Sequence, residues 1–132
     1  MNIGLDTSVV LRLLVGEPEP QFLAAAKLVE EIRRAGNRAV VDDLVVAETY
    51  FAAQYHYGVS KESILTALAK MLAAGEILFT GQSATILTLP ALHSAKPGFV
   101  DRMIHASYTQ AGGRMATFEK SAGKLANVVV LK

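Results

Sequence analysis

Short runs rich in β-branched residues alternate along this chain with longer amphipathic stretches, the pattern of an α/β domain around a parallel sheet. Asn2–Leu5 is predicted as the first strand, and Thr7–Val15 as a helix that Gly16 ends. The Glu17-Pro18-Glu19-Pro20 segment reads as a loop. Phe22, Ala25, Ala26, Val29 and Ile32 recur at helical spacing and predict a helix over Gln21–Ala35, stopped by Gly36. Ala39–Val41 is the second strand. Asp42 and Asp43 open a helix to Tyr57 that Gly58 ends, and Ser60 caps the next one, which reaches Ala74. The remainder reads as a strand over Glu76–Thr80, helical turns over Ser83–Ser94 broken by Pro90, and a helix over Phe99–Gln110. A strand over Arg114–Thr117, a short helix over Lys120–Leu125 and a last strand over Val128–Leu131 complete the chain.

Composition narrows the class. With 52% apolar and 19% charged residues in 132, the chain buries a full core and is read as one domain over 1–132. Charge or glycine interrupts every apolar stretch well before the roughly 18 residues a membrane span needs. Met1–Asp6 has neither a basic region nor a long apolar segment, so no signal peptide is expected. Absence of cysteine excludes disulfides and thiolate zinc sites, and a cytoplasmic location is the simplest expectation. The net charge of +1 adds little.

Four acids carry the chemistry. Asp6 and Glu119 follow strands, Asp101 falls in the first turn of a helix, and Glu48 lies less than two turns into the helix after the second strand. Each has an ordinary reading on its own: Asp6 as a helix cap, Asp101 and Glu119 as acids complementing a helix N-terminus. Glu48 fits least, flanked by Val45, Val46 and Ala47 on one side and Tyr50 and Phe51 on the other. Carboxylates in apolar settings need compensation, and in parallel sheets ligands bind at the carboxyl ends of the strands. Together the four point to a site for a hard divalent cation with oxygen ligands, and so to chemistry on a phosphate backbone.

The motifs also resemble a known family. Ile3-Gly4-Leu5-Asp6-Thr7-Ser8 through Gly16, Val46-Ala47-Glu48-Thr49, Phe99-Val100-Asp101-Arg102-Met103-Ile104 and Ala116-Thr117-Phe118-Glu119-Lys120 are similar, in order, to the PIN domain family. Within it they resemble the VapC-type toxins of VapBC toxin–antitoxin pairs. The resemblance implies a three-layer α/β/α fold with a central, mainly parallel sheet. It also implies a Mg²⁺- or Mn²⁺-dependent endoribonuclease, a toxin that is homodimeric and held inactive by an antitoxin protein. Carried over, Asp6, Glu48 and Asp101 match the three core metal-binding and catalytic acids, and Glu119 stands where the family's fourth acid is Asp. The additional methylene moves a ligand by about an ångström, enough to matter for catalysis. Ser8 and Thr117 match hydroxyl positions that hydrogen-bond the acids. The alternative function is a PIN-like RNA- or protein-binding module that has lost efficient cleavage.

Other features have plainer readings. Asp42 and Asp43 read as caps of their helix. His105, four residues after Asp101, reads as a partly buried or surface histidine, with substrate contact as the lesser view; His56 and His93 read as structural or exposed. Arg12 is either a surface side chain or a phosphate contact, and Arg33, Arg34 and Arg38 form a solvated basic patch. Tyr50, Tyr55 and Tyr57 read as core or dimer interface rather than base-stacking rings. The helices over Gln21–Ala35 and Ser60–Ala74 are candidate faces for a second copy or an antitoxin. A receiver-type domain requires an acidic pair after the first strand, and a dehalogenase-type phosphatase requires Asp-x-Asp there. Asp6-Thr7-Ser8 supplies neither.

Overall fold

A computed structural model describes residues 1–132. Five short strands, β1 (Asn2–Gly4), β2 (Arg38–Val41), β3 (Ile77–Phe79), β4 (Met115–Thr117) and β5 (Val128–Val130), all pair in parallel. They divide into a sheet of order β1-β2-β3 and a β4-β5 pair. The helices are α1 (Thr7–Val15), α2 (Glu19–Arg34), α3 (Asp43–Tyr57), α4 (Lys61–Ala74), the single turn α5 (Ser83–Ile86) and α6 (Phe99–Gln110). The architecture is three-layer α/β/α. None of its helices is long and apolar enough to cross a membrane.

Local chemistry sets the boundaries. Asp6, Asp42 and Ser60 cap α1, α3 and α4 by accepting from the amides of Val9, Val45 and Ser63. The same three helices end on Gly16, Gly58 and Gly75 in the left-handed conformation, which glycine adopts without a Cβ penalty. Helix α2 begins before the expected Gln21, because Pro20 sits in its first turn, where an absent N–H leaves nothing unsatisfied. The stretch around Pro90 is less regular than expected, reduced to α5 and a 3₁₀ turn at Leu92–Ser94. Lys120–Lys124 is likewise 3₁₀ rather than α-helical.

Leu5, Val10, Val41, Val46, Phe79 and Phe99 are among the 20 residues of one buried cluster. On α3 the buried stripe is Val46, Thr49, Tyr50 and Ala53, which turns the intervening side chains outward. Arg12 joins three helices: its Nε donates to Gln21 Oε1 of α2, and its Nη1 to the Tyr57 hydroxyl of α3 at 3.0 Å. Arg33 and Arg34 are instead paired with exposed Glu30, a contact worth little in solvent.

Asp43 departs from its expected capping role. Its carboxylate crosses to the start of α5 and accepts from the amides of Gln82 (2.8 Å) and Ser83 (2.9 Å). The approach is so close that a Cβ on Gly81 would fall 2.3 Å from the Asp43 carboxyl carbon. Gly81→Ala is therefore expected to cost about 1–3 kcal/mol, read by urea unfolding. With Asp43→Ala in the same chain the two losses should fall short of additive, since both act on one contact. Strict additivity would mean that the clash is not what destabilises Gly81→Ala.

Candidate active site

The turn from β1 into α1 positions the first acid. Leu5 is buried and its amide donates to the Val40 carbonyl (2.9 Å), so Asp6 emerges just beyond the paired end of β1. Asp6 is exposed, and its Oδ1 accepts from the Ser8 hydroxyl (2.6 Å) and the Val9 amide (3.2 Å). These donors, Ser8 first and Val9 next, hold the carboxyl below its ordinary pKa. Thr7 points the other way and donates to Glu48 Oε1 at 2.5 Å. The β1–α1 turn thus ties Asp6 to Glu48 through consecutive residues.

The second pair lies on an open cleft of about 470 Å³ whose walls include Lys61, His93, Lys96, Asp101, Glu119 and Ser121. Asp101 occupies the first turn of α6. Glu119 follows β4 and caps the 3₁₀ turn, its Oε1 accepting from the Ser121 hydroxyl (2.8 Å) and amide (3.1 Å). The Ser121 hydroxyl chiefly, then its amide, and more weakly the charge of Lys96, lower the Glu119 pKa. Both shifts favour the ionised carboxylate, the state required of a cation ligand.

The structure corrects several expectations at the site. Glu48 is not on the apolar face of α3: the buried stripe runs through its neighbour Thr49, and Glu48 itself is exposed. All four acids are exposed, so water rather than a buried counter-charge solvates them, and none is ion-paired with Lys, Arg or His. The Thr117 hydroxyl accepts from the backbone amide of Glu119 (3.0 Å) instead of reaching the carboxylate, which Ser121 serves. His105 is partly buried, as expected, with its Nε2 2.6 Å from the Ala126 carbonyl oxygen ahead of β5.

The four acids therefore fall into two groupings, Asp6 linked to Glu48 through its neighbour Thr7, and Asp101 with Glu119 on the walls of one cleft. No three His, Asp or Glu side chains converge tightly enough to hold one ion between them. The donor chemistry still suits a hard cation: carboxylates beside hydroxyls, with no thiol in the chain. Mg²⁺ is commonly held by one or two carboxylates, keeping waters or substrate phosphate for its other positions, and exposed carboxylates are donors of that kind. Sequence reasoning missed Thr7, Ser121, Lys61 and Lys96. Only Ser121 carried a signal, as the Glu-x-Ser spacing that lets a carboxylate accept from an amide two residues on.

In Ser8→Ala, Asp6 loses its strongest donor and its carboxyl is expected to titrate at higher pH than in the parent, followed by carboxyl ¹³C shifts. Because the shift in the folded chain is downward, its stabilising effect is present above the unfolded pKa and fades as pH falls through the folded one. On so exposed a group that effect is small. An unchanged midpoint would remove Ser8 from the site.

Comparison with known proteins bears on the family of the chain. No curated protein and no solved structure matches the chain. Residues 3–128, however, match the model of the PIN domain. PIN domains are in general nucleases and generally use divalent metals. The match leaves only the ends of the chain uncovered, and the chain belongs to the PIN domain family.

Proposed function

We propose that this chain is a Mg²⁺- or Mn²⁺-dependent endoribonuclease acting, as a single domain, as the toxin of a toxin–antitoxin pair. The observation that carries the reading is the β1–α1 turn, where Asp6 is held ionised by Ser8 and Val9 while Thr7 anchors Glu48. The four motifs around Asp6, Glu48, Asp101 and Glu119 support the toxin assignment through their similarity to VapC-type chains. The natural partners on this reading are an RNA substrate, a second copy of the chain and an antitoxin protein.

The protein's part is placement. Asp6 and Glu48 present carboxylate oxygens at the turn from β1 into α1 and on α3, and Asp101 with Glu119 on the walls of the cleft. These carboxylates would hold a divalent ion, which would supply positive charge for the phosphate oxygens and activate water for hydrolysis. Lys61 and Lys96, which line the cleft without acidic partners, attract the RNA backbone. Ser8 and Ser121 keep the two strand-end carboxylates oriented.

One observation favours the second reading, a binding module without efficient cleavage. Glu119 replaces the family's Asp and spends one carboxylate oxygen on Ser121, and the two acid pairs do not converge on one point. The deciding measurement is cleavage of a structured RNA by the antitoxin-free protein with Mg²⁺, with Mn²⁺ and with EDTA. Removing even an indirect partner of a metal ligand costs 10–100-fold, so Asp6→Asn is expected to slow cleavage by at least about 100-fold with the fold intact. Cleavage that survives EDTA or Asp6→Asn would sink the metal-site assignment. Absence of cleavage under every metal would favour the binding module.

A further inference from the structure

Two aromatic rings on α3 are left outside the core beside the cleft. Phe51 lines the cleft and is 42% exposed, and Tyr55, one turn on, is 80% exposed. Their rings lie at 24° to each other with centroids 6.3 Å apart, so they present nearly parallel planes. Phe51 is braced edge-on by buried Tyr50 (5.2 Å), which is itself braced edge-on by Phe99 (5.3 Å). A ring pair anchored to the core in this way is preorganised and loses little freedom on binding a flat ligand.

The same cleft holds Lys61 and Lys96, neither paired with an acid, and His93, which lies 4.0 Å from Glu62. Exposed aromatic planes next to unpaired cations are what a single nucleic-acid strand requires, rings for bases and cations for phosphates. We infer that Phe51 and Tyr55 form a base-stacking platform for single-stranded RNA whose phosphates run over Lys61 and Lys96 toward Asp101 and Glu119. The inference rests on the nuclease reading for its substrate class, but it concerns binding and stands apart from cleavage. A second copy of the chain is the less favoured occupant, since docking a protein here would desolvate the lysines and carboxylates of the same cleft. The platform holds bases beside the cleft by stacking, which tolerates any base, rather than by hydrogen bonding to base edges.

The test is binding by the full chain, in EDTA, of a fluorescein-labelled oligouridylate of about 12 nucleotides. A backbone-matched abasic oligomer serves as the comparison. Tyr55→Ala is expected to weaken oligouridylate binding roughly 5- to 150-fold, with Tyr55→Phe close to the parent. The loss should vanish on the abasic oligomer. Lys96→Ala should instead weaken both oligomers and reduce the slope of log K against log salt by about 0.7, a slope Tyr55→Ala leaves alone. Tyr55 is exposed enough for its truncation to leave the fold intact, which thermal melting checks.

Equal binding by Tyr55→Ala, an equal loss on both oligomers, or no binding by the parent would overturn the platform. So would a change confined to the monomer–dimer equilibrium, which would give the rings to a second copy. Because EDTA takes cleavage out of the readout, the two readings fail separately. Tyr55-dependent binding without cleavage under any metal sinks the nuclease alone, and cleavage with unaltered Tyr55→Ala binding sinks the platform alone.

Discussion

The candidate site depends on where β1 stops. Leu5 is buried, and its amide is the last of the strand to find a partner, the Val40 carbonyl of β2 at 2.9 Å. One residue later the backbone must satisfy the first turn of α1, and Asp6 does so by accepting from Val9. That single carboxylate therefore ends a strand, caps a helix and stands at the sheet's carboxyl edge with a second oxygen free. A neutral capping residue would serve the helix as well, but would present no charge to a cation. Thr7 and Ser8 then divide the neighbouring carboxylates between them, Ser8 taking Asp6 and Thr7 taking Glu48.

The second pair is assembled on different terms. Glu119 is placed by the end of β4 and a 3₁₀ turn, Asp101 by the start of α6 after Gly98. Both sit in the cleft that carries the unpaired lysines and Phe51, whose ring is braced by Tyr50, itself braced by Phe99. The carboxylates of Asp101 and Glu119 and the Phe51 ring of α3 thus line the same cleft. The exposure of all four acids matters here: a solvated carboxylate exchanges water for a cation at little cost, whereas a buried one needs its partner to fold at all.

Family membership is shown by the match over residues 3–128, and with it the general expectation of a metal-using nuclease. The narrower reading as a toxin, with its ion and partners, is a proposal that rests on motif similarity. Glu119 is where the two lines pull apart. Its longer side chain is folded back onto Ser121, an arrangement that keeps the carboxylate ionised and also occupies one of its oxygens.

Most element boundaries were legible in the sequence because they depend on local chemistry. Asp6, Asp42 and Ser60 announce helix starts, and Gly16, Gly58 and Gly75 announce their ends, since a cap or a left-handed residue acts within a few positions of itself. The four acids were legible for the same reason, each marked by the run of residues around it. What the sequence left undecided was every relation across the fold. Asp43 looks like a second cap until α5 is brought against it, and Glu48 looks apolar-facing until the stripe through Val46, Thr49 and Tyr50 fixes the rotation of α3. Tyr50 and Tyr55 are alike in sequence, yet packing buries one and leaves the other to solvent. The division of four acids into two pairs, and the lysines that share a cleft with one of them, follow from how strands and helices are stacked. Such side chains meet over separations that periodicity and propensity do not encode.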